Sequence, residues 1–188
     1  MEQVIKSLKN SSSAGFDEIQ MSFVKQCLCY FIKPLVRIYN VSFQTGIFPD
    51  MMKLAKIKPI FKKGDKLDIQ NYRPISILSA FSKILEKLMY NLSFLKKHNT
   101  LANVQQGFRA KKSTETASHS FIESVQEALD NHLHVVGIFL DLSKAYDVIN
   151  HDILLDKLDS YGVRGSVNMW FKSYLTNRTQ FVEISHTN

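Results

Sequence analysis

The sequence predicts an α+β fold, in which helices dominate the first part of the chain and strands follow later, joined by long connections. Three patterns support this prediction. Apolar residues recur every three to four positions over several long stretches, as in amphipathic helices. Residues 54–61 alternate apolar and basic side chains, which is typical of a half-exposed strand. Residues 135–140 form a short, wholly apolar run, which indicates a buried strand.

The first long helical pattern runs from Met21 to Ile38, with its apolar residues on one side. Pro34 is expected either to kink this helix or to divide it in two, because proline lacks the N–H group that a helix interior needs. Gly46 and Pro49 should end this helical region.

Four further helices are predicted. Amphipathic patterns extend over residues 81–96 and from Ser113 to about Asn131. A third pattern ends at Gly162, which is placed to be the residue just beyond the helix end. The fourth helix carries Trp170, which we expect in the core.

The strand patterns differ in their expected surroundings. Pro59 lies inside the alternating segment 54–61, and a proline in a strand indicates a sheet edge because it cannot donate to a neighbour. The apolar run 135–140 stops at Asp141, and a last strand is expected over residues 180–184.

The composition favours a folded protein with a polyanionic partner. With 45% apolar residues and 13 Phe in 188, the chain is apolar enough to build a core, which excludes a disordered segment. The 24 Lys and Arg exceed the 17 Asp and Glu, giving a net charge of +7. Nucleic acid and an anionic membrane surface both suit that charge, but many basic residues fall in loops rather than on amphipathic helices, which favours nucleic acid.

The two cysteines, Cys27 and Cys29, are two positions apart in a helical pattern and should point in different directions. No His or further Cys lies near them in sequence, so buried free thiols are expected rather than a zinc site. So few cysteines suggest a reducing compartment. Neither a signal peptide nor a membrane-spanning apolar run is found, so we expect an intracellular protein with no membrane partner, in either nucleus or cytoplasm.

Asp141 is the first residue with candidate chemistry. A buried strand that ends at an aspartate fixes a carboxylate at the sheet edge, where it can hold Mg²⁺ against a phosphate. From this pattern alone, a helix cap or surface turn is as good an explanation. Two rival enzyme classes fit less well: the segment 107–114 lacks the second glycine of a P-loop, and Ser143 stands where aspartyl phosphatases carry a second Asp.

Four segments of the chain carry motifs in a fixed order. They are Ser13-Ala-Gly-Phe-Asp-Glu-Ile; Ile57-Lys-Pro-Ile-Phe-Lys-Lys-Gly-Asp followed by Asn71-Tyr-Arg-Pro-Ile-Ser; Gln106-Gly-Phe-Arg-Ala-Lys-Lys-Ser-Thr; and Ile138-Phe-Leu-Asp-Leu-Ser-Lys-Ala-Tyr-Asp. Together they resemble the entry loop, the fingers motif, the motif that follows it and the first catalytic motif of reverse transcriptases from non-LTR (LINE-like, jockey-type) retrotransposons. One such match would be weak, but four in order over nearly the whole chain are specific.

The resemblance implies a truncated right-hand polymerase, with the fingers region at residues 1–132 and the first part of the palm at 133–188. It implies that Asp141 is the first of three catalytic Asp residues that hold two Mg²⁺ ions, and that the Leu142 carbonyl is a further metal ligand. Tyr146 matches the aromatic residue that excludes a ribose 2′-hydroxyl. An aromatic residue before a helix can also belong to the core, but the motif favours the gate role.

The basic residues of the motifs acquire roles by the same resemblance. Lys62 and Arg73 match the fingers residues that bind the triphosphate of the incoming dNTP, with Lys63 as an alternative to Lys62. Arg109 either ties the fingers together or touches the template backbone, and both remain open. Lys63, Lys111 and Lys112 are expected to add diffuse attraction for nucleic-acid phosphates.

Two family motifs are missing from the 188 residues: the Pro-Gln-Gly segment and the Ala-Asp-Asp hairpin that supplies the other two catalytic Asp residues. The sequence therefore predicts part of an RNA-directed DNA polymerase that is inactive alone. Its expected partners are an RNA template, a DNA primer, dNTP and the missing C-terminal palm and thumb of the same polyprotein. The alternative is a non-enzymatic, basic nucleic-acid-binding remnant.

Overall fold

The computed structural model describes residues 1–92, 102, 104–142 and 145–183. The chain divides into two compact units, the first formed by Met1–Ser93 with His151–Asn188 and the second by Phe94–Asn150. Helices and strands both occur, so the α+β class is confirmed. The boundary between fingers and palm at residue 132 stays a prediction.

Three helices open the first unit: α1 (Glu2–Ser7), α2 (Met21–Gln26) and α3 (Leu28–Thr45). The long helical pattern divides at Cys27 and not at Pro34, which lies inside α3. Helix α3 ends as predicted at Gly46, whose φ of 69° is a left-handed conformation that glycine adopts without steric cost.

A three-stranded sheet follows, with the order β2-β1-β3. Strand β1 (Leu54–Phe61) pairs antiparallel with β2 (Tyr72–Ile77) and parallel with β3 (Thr179–Val182). The prediction that Pro59 makes β1 an edge strand is wrong for the strand as a whole, because β1 is central. The reason is that β3 pairs only with residues 54–57 of β1. Pro59 lies beyond that pairing, where β3 needs no N–H donor from β1.

Three helices complete the first unit. Helix α4 (Ala80–Leu92) follows β2, and α6 (His151–Ser160) and α7 (Ser166–Leu175) precede β3. Helix α6 ends as predicted at Gly162, with φ of 91°. There the Gly162 N–H donates to the Asp159 carbonyl and the Val163 N–H to the Leu158 carbonyl, which is the hydrogen-bond pattern of a Schellman cap.

The core of the first unit forms around Trp170, which is only 1% exposed, so its predicted burial is confirmed. Its indole Nε1 donates a hydrogen bond to Ser42 Oγ at 3.0 Å, which satisfies the polar end of the ring. Tyr39 is also fully buried and donates from its hydroxyl to the Phe81 carbonyl at 2.9 Å. These bonds connect α3 to α7 and to α4. The other buried apolar residues of the cluster are Ile5, Met21, Val24, Leu28, Leu35, Phe48, Ala80, Ile84, Leu85 and Met89.

The second unit contains helix α5 (Thr114–Asp130), close to its predicted bounds. Its N-terminus is closed by a capping box, in which Ser113 Oγ accepts from the Thr116 N–H and Thr116 Oγ1 accepts from the Ser113 N–H. No residue of α5 is buried. Local hydrogen bonds, rather than burial, account for the order of this helix.

The predicted buried strand at residues 135–140 is wrong: the segment has no strand structure and is exposed, with Val136 85% and Leu140 89% accessible. The physical reason is that an apolar run favours burial but does not provide the neighbouring strand that a sheet requires. A strand needs hydrogen bonds from a neighbour, and no described segment pairs with this one.

The expectation for the cysteines is half right. Both thiols are free, but Cys29 is exposed and Cys27 partly exposed, so they are not buried. The apolar side of the helical pattern faces the core through other residues, such as Leu28 and Leu35. Among the described residues, the helices are too short or too polar to cross a bilayer.

Candidate active site

Lys62 and Arg73 lie close to each other because β1 and β2 form a hairpin. In its register Ile60 is opposite Arg73, and the Lys62 N–H continues the ladder by donating to the Asn71 carbonyl at 2.8 Å. Directly paired residues share a face of a sheet, as do residues two apart on one strand. Lys62 and Arg73 therefore lie on the same face of the hairpin, as diagonal neighbours.

Lys58 belongs to the same face, opposite Ile75. The face thus carries the exposed cations Lys58, Lys62 and Arg73, with Ile60 and Ile75 about half exposed between them. Lys56, which is next in line, makes an ion pair with Glu183. Three cations without a described ion-pair partner beside apolar side chains can hold an anionic group next to an apolar one.

The loop between the two strands is fixed by its own hydrogen bonds. Gly64 has φ of 94° and packs so closely on the Asn71 side chain that a Cβ would come within 2.7 Å of its Nδ2. That Nδ2 donates to the Asp65 carbonyl, and the Tyr72 hydroxyl donates to the Lys66 carbonyl, both at 2.9 Å. Lys63 lies at the bend where this loop leaves the ladder, so the alternation of faces does not extend to it.

The entry motif, which begins at Ser13, packs against the turn that follows the fingers motif. A Cβ at Gly15 would lie 2.7 Å from the backbone N and Cα of Ser79, which is closer than side chains approach. Only glycine fits this position. The contact joins the chain before α2 to the turn that leads from β2 into α4.

Asp141, Leu142 and Tyr146 belong to the second unit, where all three are exposed and lie in irregular backbone. The core alternative for Tyr146 has no support in the described chain, because its side chain is 75% exposed. No group of three acidic, histidine or cysteine side chains within the described ranges could hold a metal ion. The described residues around Asp141 therefore do not by themselves fit a pair of Mg²⁺ ions, which need several oxygen ligands.

The third motif forms the turn that leads into α5. Arg109 donates from its guanidinium to the Ala102 carbonyl at 2.8 Å, which is a contact of the structural kind. Lys111 has φ of 64°, and both it and Lys112 are exposed. These basic residues are in a different compact unit from Lys62 and Arg73.

Residues 60–188 match the model of the family described as "Reverse transcriptase (RNA-dependent DNA polymerase)". The chain belongs to this family. The matched region begins at Ile60 in the hairpin and includes Asp141 and Tyr146, so most of the reverse transcriptase motifs inferred from the sequence lie inside it.

Curated relatives agree with this reverse transcriptase assignment. The chain is 31% identical to the "Probable RNA-directed DNA polymerase from transposon BS" of Drosophila melanogaster, over 98% of the chain and 21% of that protein. It is 30% identical to the "RNA-directed DNA polymerase from mobile element jockey" of the same organism, over 98% of the chain and 20% of the relative. A similar polymerase from transposon X-element is 29% identical, over 79% and 17%. The chain therefore spans about a fifth of the length of the first two relatives.

The sequence did not indicate two features of this reverse transcriptase chain. Lys58 could have been found from its alternation with Ile60 and Lys62, but its place beside Arg73 depends on the register, which no single strand specifies. The role of Gly15 depends on a contact with Ser79 that is distant in sequence. A glycine in a serine-rich loop gives no local sign of close packing.

Proposed function

We propose that this chain forms the fingers and the first part of the palm of an RNA-directed DNA polymerase, and that its β1–β2 hairpin binds the triphosphate of the incoming dNTP. The observation that carries the proposal is the hairpin register, which sets Lys62 beside Arg73 on one face. Arg73 offers a planar fork of donors to phosphate oxygens, and Lys62 offers a mobile point charge.

The register also favours Lys62 over Lys63 as the triphosphate ligand. Lys62 still bonds to β2 through its N–H, so its position relative to Arg73 is fixed by the ladder. Lys63 lies in the bend, where no ladder bond holds it. A fixed backbone lowers the cost of ordering the long side chain against a phosphate.

Asp141 and the Leu142 carbonyl are proposed as ligands of the Mg²⁺ ions on which nucleotide transfer by this family depends. Among the described residues no group of three acidic, His or Cys side chains could hold a metal ion, so we assign no metal-dependent step to this chain. The isolated 188 residues are therefore proposed to be inactive, and to need the rest of the palm and the thumb.

Tyr146 is proposed as the residue that selects deoxynucleotides. It follows Asp141 by five positions, and its ring is free to meet the sugar of a nucleotide because it is 75% exposed. A 2′-hydroxyl against this ring would collide with it or lose its hydrogen-bond partners. That cost is on the order of 1–3 kcal/mol, or roughly ten- to a hundredfold in selection.

The RNA template and DNA primer are the proposed macromolecular partners, with Lys63, Arg109, Lys111 and Lys112 as phosphate contacts. Since the Arg109 guanidinium already bonds to Ala102, its part is to hold this turn as well as to attract phosphate. The second candidate function, a basic nucleic-acid-binding protein without catalysis, is favoured by the same exposed lysines. The two functions are distinguished by joining the chain to a complete palm and thumb: dNTP incorporation by that protein supports the polymerase function, and its absence supports the binding function.

The first experiment measures primer extension on a poly(rA) template with Mg²⁺ or Mn²⁺. The isolated chain should incorporate no dNTP above a blank without enzyme. Incorporation by the isolated chain that Asp141→Asn abolishes would contradict the proposal that one carboxylate is insufficient.

The second experiment compares substitutions in a polymerase in which residues 1–188 are joined to a complete palm and thumb. Lys62→Ala and Arg73→Ala should each raise the KM for dNTP by about tenfold or more, because each loses a charge-assisted hydrogen bond worth roughly 1.5–3 kcal/mol. Lys63→Ala is the matched control and should change the KM little. An equal effect of Lys63→Ala and Lys62→Ala would remove the argument from the register.

In the same polymerase, Tyr146→Val should raise ribonucleotide incorporation while leaving dNTP incorporation largely intact. Paired kinetics with dNTP and rNTP, together with a thermal melt, measure this. An equal loss on both substrates with a lower Tm would return Tyr146 to a structural role.

A further inference from the structure

A second basic region of the first unit lies away from the hairpin residues assigned above. Helix α4 and the segment that follows α1 line an open groove with a volume of about 560 Å³. Its walls include Lys9 and Ser11 from the N-terminal segment and Lys83, Lys87 and Tyr90 from α4. The volume falls in the range of about 300–1,000 Å³ that is typical of sites for small ligands.

The positive charges of the groove come from both of its walls. Lys83 and Lys87 are four residues apart on α4, so they lie on one face of the helix and about 6 Å apart along its axis. Lys9 contributes a third ammonium group from the other wall. Within the described part of the chain, none of these three lysines forms an ion pair with a carboxylate.

The one acidic residue among the side chains that line the groove is Glu86, and it is hydrogen-bonded to another helix. Glu86 accepts a hydrogen bond from the Tyr174 hydroxyl at 3.0 Å, on the side of α4 that faces α7. Burial raises the pKa of its carboxyl, which makes the charged form less favourable than on a free surface. The electrostatic character of the groove is therefore set mainly by the lysines.

The groove also has an apolar and aromatic lining. Leu8 and Met21 form part of the wall, and the Tyr90 ring is 46% exposed. The Lys87 ammonium lies 4.7 Å from the centre of the Tyr90 ring, a cation–π contact that places the charge next to the aromatic surface. Alternating cations and aromatic surface are the features with which proteins bind unpaired nucleic-acid strands.

We propose that this groove binds an unpaired nucleic-acid strand, with backbone phosphates on Lys9, Lys83 and Lys87 and a base against Tyr90. The size of the groove suits a nucleotide-sized part of a strand and not a duplex. Its concave shape, with charges on both walls, also differs from the flat apolar face with which a helix lies on a membrane. The choice of nucleic acid as the ligand rests on the proposed polymerase function, but the site is separate from the residues assigned to it.

The test uses the 188-residue chain at nanomolar concentration and a labelled 12-nucleotide uridine RNA, with a matched DNA strand and a duplex for comparison. Fluorescence anisotropy is recorded from low to moderate salt. The groove variant is Lys83→Gln with Lys87→Gln. The matched control is Lys33→Gln with Arg37→Gln, which removes two exposed cations at the same spacing from helix α3.

The slope of log K against log salt should fall in magnitude by about 1.4 for the groove variant, since each phosphate contact on a single strand contributes about 0.7. The control variant should keep the slope of the parent. Tyr90→Ala should weaken binding at least about fivefold through lost stacking. A thermal melt checks that each variant is folded, and 4-thiouridine cross-linking should label the α4 peptide in the parent chain.

Several outcomes would overturn the groove. Equal salt slopes for the groove and control variants would contradict the proposal that the groove binds an unpaired strand. Cross-links confined to peptides other than α4 would contradict it too, and so would binding of the duplex as tight as that of the single strands. Lys111→Gln with Lys112→Gln separates this failure from that of the proposed function: weakened binding in that variant alone keeps the proposed nucleic-acid loop and removes the groove. Stronger binding of RNA than of DNA would identify the strand as RNA-like, and equal binding would indicate recognition of phosphates and bases alone.

Discussion

The two compact units of this chain differ in how they are held together. The unit built from residues 1–92 and 151–183 has a continuous core in which Trp170, Tyr39 and Phe48 are almost fully inaccessible. In the unit around α5 (Thr114–Asp130) the helix buries no residue, and the apolar run that follows it is exposed. Regular structure in the first unit is supported by packing, whereas in the second it depends on local hydrogen bonds such as the Ser113 cap.

The residues that carry the proposed function are divided between these two units. The hairpin with Lys62 and Arg73 belongs to the packed unit, and its cations lie on a hydrogen-bonded pair of strands. Asp141 and Tyr146 belong to the unit in which no described residue is buried, and nothing described around them fixes their side chains. A sequence motif can thus be complete while the geometry that its chemistry needs still depends on other segments.

The largest expected effect is the loss of the central ring of the packed unit. Trp170→Ala should lower the free energy of unfolding by about 3–5 kcal/mol, because it leaves a cavity and also deprives Ser42 Oγ of its donor. Leu140→Ala in the other unit should change it by less than about 0.5 kcal/mol, since that side chain is 89% exposed. Urea denaturation measures both changes in the free energy of unfolding. Unfolding is followed by the circular dichroism of the backbone, a signal that remains when the tryptophan is removed. Similar losses for the two variants would show that the second unit has a core of its own.

A smaller contrast is expected between two glycines. Gly15→Ala should cost about 1–3 kcal/mol, because the new methyl group would meet the Ser79 backbone at 2.7 Å. Gly107→Ala should be close to neutral, because a Cβ there meets no atom within 4 Å. Thermal melts of both variants under the same conditions measure the difference. If Gly15→Ala has the same Tm as the parent protein, the close contact between the entry motif and the turn after β2 is wrong.

The exposed apolar run gives the third prediction. Chains carrying Ile138→Ser with Leu140→Ser should bind less of a hydrophobic dye such as ANS than the parent, because both side chains are at least 80% exposed. Their Tm should change little, since no buried contact is lost. Joining the chain to a complete palm and thumb should lower dye binding in the same way, because the joined segments can cover this apolar surface. Unchanged dye fluorescence in the double variant would place the accessible apolar surface elsewhere.

The elements that depend on local patterns could be predicted from the sequence. The capped helix after Ser113, the helix end at Gly162 and the alternating strand at 54–61 all follow from signals within a few residues. The features that depend on partners could not. The central place of β1 requires β3 (Thr179–Val182), more than a hundred residues later, and the exposure of residues 135–140 depends on the lack of a described pairing strand.

The same limit applies to the site. The motifs indicated Asp141, Lys62 and Arg73 from sequence, because a motif preserves residue types and spacing. Lys58 lies inside the fingers motif, but the motif gave it no role, and the groove lysines lie outside the four motifs. Lys83 and Lys87 could have been singled out by their spacing of four on a predicted helix, but only the opposite wall at Lys9 makes them a groove.

The smallest expected effect is a pH dependence within the packed unit, at Glu86. Burial raises the pKa of this carboxyl, while the Tyr174 hydroxyl and the positive charges of Arg178 and Lys83 lower it by less. The folded protein therefore holds the proton more tightly than the unfolded chain, whose carboxyl has the ordinary value of 4.5. Stability from this group is fully present below that value and is lost as the pH rises through the raised pKa of the folded state.

Glu86→Gln removes this titration and keeps an acceptor for Tyr174. The variant should melt at about the same temperature as the parent near pH 4 and at a higher temperature near pH 7, where the buried carboxyl of the parent is charged. Tyr174→Phe, which deletes the hydroxyl that donates to the carboxylate, should raise the pKa of Glu86 further and move the loss of stability to higher pH. Melting curves from pH 4 to 8 for all three proteins test the argument. Parallel profiles for Glu86→Gln and the parent would mean that the carboxyl is solvated in the folded protein, and the packed unit would then extend less far around α4 than its contacts indicate.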